Sequence, residues 1–260
     1  MDMTKLQLRN ITKMFNTSDS SKSSVTAVEN VTLQIEEGEF VCFVGPSGCG
    51  KSTLLNILAG LDKPTEGEII LNGHPINGTG PDRIMVFQEN ALFPWLKVID
   101  NVEFGLKLAG LNKTKRREIA MHYLDTMQLT RFADSYIYQL SGGMKQRVSL
   151  ARALVMDPEI LLMDEPFAAL DSQTRDLLLV ELQLIWARTR KTIIFVTHNI
   201  LESVCLGDRV VVFTNRPGRV KRQIVIDYRR PRLSEDDGLQ PFYRNVLDQL
   251  KSEVHGTHND

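Results

Sequence analysis

Residues 45–53, GPSGCGKST, constrain the fold of this chain more than any other stretch. They follow the apolar run EFVCFV and precede STLLNILAGL, whose apolar residues have helical spacing. A strand, the pattern G-x-x-x-x-G-K-[ST] and a helix, in that order, form a phosphate-binding loop. Main-chain N–H groups of such a loop turn toward an anion, and the helix adds its positive dipole end. The sequence therefore predicts a nucleoside triphosphate site formed by Gly45, Pro46, Ser47, Gly48, Cys49, Gly50, Lys51, Ser52 and Thr53.

Two carboxylates follow a second apolar run, EILLMDEP, at residues 159–166. Open α/β sheets place ligands at the carboxyl ends of their strands, so Asp164 is expected to support Mg²⁺. Within the same site, Ser52 is expected to hold Mg²⁺ and Lys51 to reach the β- and γ-phosphates. Glu165 is placed to orient the attacking water as the catalytic base. Two acids after a strand are more often a solvated strand end, but the phosphate-binding loop favours the catalytic interpretation.

Two polar residues end further strand-like runs. His198 ends TIIFVTH, and it can contact the γ-phosphate if its strand neighbours the one that ends at Asp164. Gln88 ends RIMVFQ, where it can touch Mg²⁺ or the attacking water and join the core to the helical residues that follow. A lone histidine at a strand end is usually structural, so each residue alone is a weak signal.

Strand-like and helix-like segments alternate along the chain, which predicts an α/β fold with a mostly parallel sheet. The helical block in the middle predicts a lobe beside that sheet. The expected domains are an ATP-binding core at residues 1–88 and 157–230, an inserted helical subdomain at 89–156, and a terminal helix and tail at 231–260. The serine-rich stretch NTSDSSKSS, residues 16–24, is predicted to be a mobile hairpin loop.

Composition narrows the class of protein. A formal net charge of −1 argues against a general attraction to nucleic acid or to an anionic membrane. The three cysteines do not form a paired framework, which is typical of a reducing compartment. No signal peptide is recognisable, and the apolar runs are far shorter than a membrane span. We therefore expect a soluble, cytosolic chain with no nucleic-acid partner.

A second glycine-bearing stretch, LSGGMKQR at residues 140–147, opens a helical run. Together with GPSGCGKST, Gln88, ILLMDEP, AALD and His198, it resembles the ATP-binding cassette (ABC) ATPases from about residue 6 to residue 220. The resemblance implies a P-loop NTPase (RecA-like) core with an N-terminal antiparallel β subdomain and an inserted α-helical subdomain. It also implies that ATP and Mg²⁺ are the cofactors.

In that family two cassettes dock head to tail, and the signature of one completes the ATP site of the other. The resemblance assigns this contact to Ser141, Gly142 and Gly143, with Asp171 of AALD as a further cross-subunit contact. Glycines lack the β-carbons that would keep an anion away from their amides. The alternative is a serine helix cap followed by flexible glycines. Ala168 departs from the serine usual at the start of the AALD motif.

The family also places an aromatic ring against adenine, and Phe15 occupies that place. A core phenylalanine is the alternative. Cys49 lies near a helix start and Lys51, so its thiol pKa is expected to be lowered and its alkylation to block ATP binding.

The branch that the chain resembles most is the importers of nitrate, taurine, aliphatic sulfonates and bicarbonate. The resemblance implies an ATPase subunit that drives uptake of a small anion, peripheral on the cytoplasmic face of the bacterial inner membrane. Its partners would be a second cassette (homodimer or pseudo-dimer), an integral-membrane permease, and indirectly an external substrate-binding protein. Phe93 and Trp95 of FPW would contact the permease, unless they pack the core of their own lobe.

Two departures and two alternatives accompany this assignment. Asn199 stands where the branch usually has aspartate, and LESV replaces an acidic-then-alanine pattern beside His198. Residues 216–232 carry seven basic side chains and one acid, which usually marks a solvated face.

Two alternatives to the importer function are a soluble ABC ATPase without a transport role, and a cassette paired with a different ABC subunit in another transporter class.

Overall fold

The computed structural model describes residues 4–16 and 24–255, without the side chains of the last two. Most of the serine-rich stretch predicted to be a hairpin loop, and the last five residues, therefore lie outside the described residues. The chain divides into two compact units. The first contains residues 1–80 and 179–260, and the second contains residues 81–178.

The first unit begins with an antiparallel sheet in the strand order β2-β1-β4-β5. Its inward side chains alternate with exposed ones along β2, as expected for a sheet with one buried face. The register pairs Leu8 of β1 with Leu33 of β2 on one side and with Ile69 of β4 on the other. The strands are β1 Thr4–Asn16, β2 Ser24–Glu36, β4 Glu66–Leu71 and β5 His74–Pro75.

The same unit also contains four strands in the order β10-β9-β3-β8. The pairs β3–β8 and β3–β9 are parallel, whereas β10 pairs antiparallel with β9. Every residue of β3 and β8 is buried, which is why both appear in the sequence as continuous apolar runs. The strands are β3 Phe40–Val44, β8 Thr192–Val196, β9 Arg209–Phe213 and β10 Val220–Val225, and the helices are α1 Lys51–Leu58, α6 Ile200–Leu206 and α7 Gln240–His255.

The second unit contains a parallel strand pair and three helices that pack on one another. Asn112 caps one of these helices by accepting a hydrogen bond from the Lys115 amide at 2.9 Å. The elements are β6 Arg83–Val86, α2 Val98–Leu108, α3 Lys113–Thr126, α4 Gly142–Leu154 and β7 Ile160–Asp164. A further helix, α5 Ser172–Thr189, begins in this unit and ends in the first.

The predicted fold class is confirmed: an antiparallel sheet, parallel strands and helices form a P-loop NTPase fold. The predicted domain boundaries at 88/89 and 156/157 stay a prediction, because the compact units follow contacts and place β6 and β7 with the helices. No helix in the described part of the chain is long and apolar enough to cross a membrane.

Candidate functional site

The phosphate-binding loop lies between β3 and α1, as predicted. Gly50 ends the loop with φ of 101°, a conformation that residues with a β-carbon rarely adopt. No side chain caps the N-terminus of α1. The Lys51 ammonium is buried inside the loop, where it donates to the carbonyl oxygens of Gly45 at 2.8 Å and Pro46 at 2.9 Å. The loop is therefore a cradle of main-chain groups with one cation in its centre.

Cys49 corrects the expectation of a reactive thiol. The side chain is fully buried, and burial raises the thiol pKa above its ordinary value although Lys51 acts in the opposite direction. The Lys51 ammonium lies 3.7 Å from the Cys49 sulfur. Proximity to a cation and a helix start suggested a lowered pKa, but desolvation of the thiolate outweighs both. Cys49 is thus a small packing residue of the loop.

His198 is exposed just after β8. Because Phe43 pairs in parallel with Val196, the phosphate-binding loop and His198 both follow the carboxyl ends of adjacent strands. The backbone around the histidine is held by Thr197, whose hydroxyl donates to Glu202 at 2.6 Å and accepts from the Asn199 amide at 3.0 Å.

Asn199 acts as the helix cap of α6. Its side-chain oxygen accepts from the amides of Leu201 at 2.9 Å and Glu202 at 3.3 Å, and so caps α6. The departure in sequence leaves the helix start beside His198 intact.

Phe15 lies near the end of β1 with 41% of its surface exposed. The Lys13 ammonium sits 5.0 Å from the centre of its ring. An exposed ring is not a core phenylalanine, so the surface that a nucleobase would need is accessible.

In the second unit, Asp164 is the last residue of β7, and Gln88 comes two residues after the end of the adjacent parallel strand β6. Val86 of β6 pairs with Met163 of β7, so both polar residues lie at the same carboxyl edge. Glu165 comes directly after β7, half-buried, with φ of 44°. A non-glycine residue in the left-handed region is uncommon and often marks a functional position.

The signature residues lie at the start of α4. Ser141 is the helix cap, and its hydroxyl accepts from the Met144 amide at 3.4 Å. A β-carbon on Gly143 would lie 2.5 Å from the Thr174 methyl carbon, whereas one on Gly142 would make only an ordinary contact with Leu170 at 3.4 Å. The serine cap and the signature glycines are thus combined in one motif, and packing against Thr174 excludes a side chain at Gly143.

Asp171 caps α5 in the same unit. Its carboxylate accepts from the Thr174 amide at 3.0 Å, and hydrogen bonds from Thr174 lower its pKa. The carboxylate is exposed to solvent and ionised at neutral pH.

Phe93 and Trp95 differ in their surroundings. Trp95 is 71% exposed. Phe93 is half-buried, with its ring centre 4.7 Å from that of Phe104 and 5.6 Å from the guanidinium carbon of Arg152. The core-packing alternative therefore describes Phe93 in part, and the surface interpretation fits Trp95.

Two residues that sequence reasoning missed hold this segment in place. Asn101 is fully buried and binds the amide of Phe93 at 2.8 Å and its carbonyl at 3.1 Å, together with the carbonyls of Leu96 and Lys97. Arg152 donates to the carbonyls of Ala91 at 2.8 Å and Asn90 at 3.1 Å. In the sequence, each of these residues is only a polar residue within a predicted helix. That pattern does not identify the groups with which the side chain forms hydrogen bonds.

The basic stretch at residues 216–232 is not simply a solvated face. Arg219 pairs with Glu29 at 2.6 Å, Lys221 with Glu253 at 2.6 Å, and Arg230 with Asp208 at 2.7 Å. These three side chains hold the stretch to the rest of the first unit.

Arg232 is buried, and all five of its N–H groups donate to main-chain carbonyls. Burial, with the nearby charge of Arg230, lowers its pKa to about 10, so the guanidinium stays charged at neutral pH. The acceptors are the carbonyl oxygens of Val204, Gly207, Ile226 and Tyr228.

No cluster of three or more histidine, cysteine or acidic residues that would hold a metal ion occurs within the described ranges. Magnesium does not require one, because it usually takes one or two protein oxygens together with substrate phosphates and water. A hydroxyl, an amide oxygen and one carboxylate, as in Ser52, Gln88 and Asp164, are donors of the kind that it prefers.

Comparison with known proteins gives concordant results. The sequence model of the family described as ABC transporter matches residues 28–168. The nitrate import ATP-binding protein NrtD of Synechocystis sp. (strain PCC 6803) is 50% identical over 79% of this chain and 77% of that protein. The taurine import ATP-binding protein TauB of Ruegeria pomeroyi is 46% identical over 87% and 84%, respectively. A dimeric post-hydrolysis structure of the cassette MJ0796 bound to ADP and Pi superposes with a TM-score of 0.75, 37% identity, and coverage of 86% of this chain and all of that one.

Proposed function

Because the chain belongs to the ABC transporter family, we propose that it is the ATPase subunit of an importer that takes up a small anion of the nitrate, bicarbonate or sulfonate type. The named importer subunits NrtD and TauB support the transport role. ATP hydrolysis follows from membership of the family.

The observation that carries the proposal is a split set of phosphate-binding features. The loop at residues 45–53 forms one cradle, and we propose the start of α4, capped by Ser141 in a separate compact unit, as the second. A single nucleotide needs one such loop. We infer that the second serves the ATP of a partner cassette docked head to tail, as the dimeric form of the related MJ0796 cassette supports.

In the proposed reaction, water attacks the γ-phosphorus of ATP while the bond to the β-phosphate oxygen breaks, releasing ADP and phosphate. Glu165 orients the water and accepts its proton, and His198 contacts the γ-phosphate. Lys51, which contacts the Gly45 and Pro46 carbonyls and the Cys49 sulfur in this structure, donates to the β- and γ-phosphates when ATP is bound. Phe15 stacks on adenine.

Mg²⁺, when bound, neutralises charge on the phosphate oxygens, and Ser52, Gln88 and Asp164 are the residues that would hold it. Binding of two ATP molecules closes the cassette dimer, because each nucleotide then contacts both chains. Hydrolysis removes the γ-phosphate from between the chains and reopens the dimer. The movement drives a separate integral-membrane permease on the cytoplasmic side of the bacterial inner membrane, with an external binding protein delivering the anion.

The proposal is tested by co-purification. A tagged chain carrying Glu165→Gln is isolated from native membranes in mild detergent with ATP and Mg²⁺ present. We expect to recover a multi-spanning permease with two cassettes per complex. The genes that neighbour the permease gene then indicate which anion to test in a transport assay. A dimer without a membrane protein contradicts the transport role and favours the ABC ATPases that act without a permease. A complex with a different cassette identifies a mixed pair.

A matched pair of surface variants refines this test. Trp95→Ala removes an aromatic side chain that is 71% exposed, and Leu108→Ala removes an aliphatic one that is 74% exposed in the same unit. We expect the first to lose the permease and the second to retain it. Equal retention by both variants would remove Trp95 from the permease contact.

A further inference from the structure

The turn between β9 and β10, residues 214–219, packs against the back of the phosphate-binding loop. A β-carbon on Gly218 would lie 2.0 Å from the carbonyl oxygen of Cys49, so only glycine allows this approach. The turn is also joined to β2, because Gly218 donates to the Ala27 carbonyl at 2.9 Å and accepts from the Glu29 amide at 3.0 Å. The main chain of the turn is therefore in direct contact with the loop that would hold phosphate.

The loop itself rests on the same strand segment. A β-carbon on Gly50 would lie 2.5 Å from the Ala27 carbonyl oxygen. At the other end of the loop, a β-carbon on Gly45 would lie 3.0 Å from the β-carbon of Phe213, the last residue of β9. The turn, the strand segment and the loop therefore approach one another so closely that a shift of the turn toward the loop would press on the loop main chain.

The turn is internally braced. The Thr214 hydroxyl donates to the carbonyl of Pro217 at 2.9 Å and accepts from the Arg219 amide at 2.9 Å. Arg219 also donates through two nitrogens to Glu29, at 2.6 Å and 3.2 Å. Displacement at one end of the turn is therefore transmitted to Gly218.

A carboxylate of the C-terminal helix α7 binds the turn near its first residues. Glu253, near the end of α7, accepts from the Asn215 amide at 2.9 Å with one oxygen and from the Lys221 ammonium at 2.6 Å with the other. Lys221 also donates to the Gln249 carbonyl at 2.7 Å and to the Ser252 hydroxyl. Burial disfavours ionisation of Glu253, but the bonds from Lys221 and Asn215 outweigh it and lower the pKa of the carboxyl group.

We propose that Glu253 is a positioning residue for nucleotide binding, which it controls through the Asn215 amide, the turn at residues 214–219 and the contact of Gly218 with the phosphate-binding loop. This inference rests on the proposed binding of ATP at residues 45–53. It makes the end of α7 a control point: a partner or modification that withdraws Glu253 from Asn215 lowers affinity for ATP without touching the ATP site.

The test uses the full chain and two charge-removing substitutions on α7. Glu253→Met removes both acceptors while keeping side-chain length and helix propensity. Asp248→Met is the matched control, because Asp248 is exposed on the same helix and makes no hydrogen bond or ion pair with the described residues. MgATP dissociation constants are measured by equilibrium dialysis, and KM and kcat by phosphate release.

We expect Glu253→Met to raise Kd and KM for ATP about fivefold or more, the lower end of typical coupling between sites, with kcat within about twofold. Asp248→Met should leave all three values unchanged. Lys221→Met, which removes the cation but leaves the bond from Asn215 to Glu253, should raise Kd less than Glu253→Met. Glu253→Gln keeps an acceptor for Asn215 and should restore most of the affinity. A lower melting temperature for Glu253→Met with an unchanged Kd would overturn the proposal, because the contact would then be structural only.

A measurement on the unaltered protein covers the case in which Glu253→Met does not fold. Coupling is reciprocal, so MgATP should slow hydrogen exchange at the Asn215 amide and in the last turns of α7. Protection confined to residues 45–53 would overturn the proposal. If the unaltered chain binds no MgATP, the proposed function fails as well, whereas normal binding with no response to Glu253→Met leaves the proposed function standing.

Discussion

Glu165 adopts φ of 44° at the point where β7 ends. A carboxylate residue pays about 1–3 kcal/mol for such a conformation, so the surrounding structure must impose it. Its neighbour Asp164 is still part of the regular strand, so the backbone conformation changes between the two acids. Adjacent acids in the sequence can therefore serve different chemical roles.

The substitution Glu165→Gln tests the role of this carboxylate. Glutamine preserves shape and can occupy the same backbone conformation, but it cannot accept a proton. We expect ATP binding to be retained and turnover to fall about 10²- to 10⁴-fold, the usual contribution of a positioned base. The measurements are equilibrium binding of MgATP and steady-state phosphate release. Glu159→Gln, before β7, serves as the control and should hydrolyse ATP normally. Near-normal turnover by Glu165→Gln would exclude the assignment.

Burial of Cys49 predicts a slow thiol. Because its pKa is raised, the thiolate fraction at pH 8 is smaller than for an ordinary cysteine, and the Cys49 side chain is inaccessible. Folding favours the neutral thiol, so the contribution of this group to stability is fully present below the ordinary thiol pKa and is lost as pH rises from that value through the raised pKa of the folded protein. We expect negligible reaction with a disulfide reagent at pH 8 in the native protein and three reactive thiols after denaturation. Rapid labelling of one native thiol, protected by ATP, would restore the original expectation.

Among the larger elements, the segment between β6 and α2 shows how a loop can be rigid without secondary structure. Asn101 reaches back from α2 to bind its main chain, while Arg152 reaches across from α4. The helix that begins with the signature therefore also holds the segment that carries Trp95. Arg152 is a half-buried cation that donates to main-chain carbonyls and lies against the Phe93 ring, and burial lowers its pKa.

Removing the Asn101 side chain should loosen this segment. Asn101→Ala leaves the Phe93 amide and three carbonyls without their buried partner, and the expected loss in the free energy of unfolding is about 1–3 kcal/mol. The measurement is urea denaturation followed by circular dichroism. Asn245→Ala, on the exposed face of α7, is the control and should leave stability unchanged or slightly raised. Equal midpoints for the two variants would contradict the role of Asn101.

The same elements show where sequence reasoning works and where it stops. Strands β3 and β8 and the loop before α1 were predictable because burial on both faces and phosphate-loop chemistry leave local patterns. The hydrogen bonds and contacts that hold the turn at residues 214–219 could not be predicted. Gly218 and Cys49 are far apart in the sequence, and the local pattern around one residue gives no information about the other. The ion pairs of the basic stretch could not be predicted for the same reason: the partners of Arg219, Lys221 and Arg230 lie in distant segments.

At the scale of the whole molecule, the two signature glycines, Gly142 and Gly143, are required for different structural reasons. The missing β-carbon of Gly143 faces Thr174 of the same chain, whereas Gly142 has room for a methyl group. Clearing a path for phosphate is therefore proposed for Gly142 alone, because packing against Thr174 of the same chain explains the glycine at position 143.

Two alanine variants in the Glu165→Gln background distinguish packing within the chain from contact with the partner's ATP. Gly143→Ala should lose about 1–3 kcal/mol of stability through overpacking, and the added Thr174→Ser should restore stability and ATP-dependent dimerisation by removing the clashing methyl. Gly142→Ala should melt normally but dimerise at least about tenfold more weakly with ATP. The readouts are thermal melting and sedimentation velocity. Normal dimerisation of Gly142→Ala would argue against the head-to-tail arrangement.

The five bonds of Arg232 set a limit on how far the polypeptide can be shortened. A version that stops before this residue leaves four interior carbonyls and the Gln183 side-chain oxygen without a donor, at positions in α5, around the end of α6 and in the segment after β10. Lysine cannot substitute, because three donors on one nitrogen cannot span acceptors arranged around a planar fork. We therefore expect any shortened version of this chain that folds to retain residue 232.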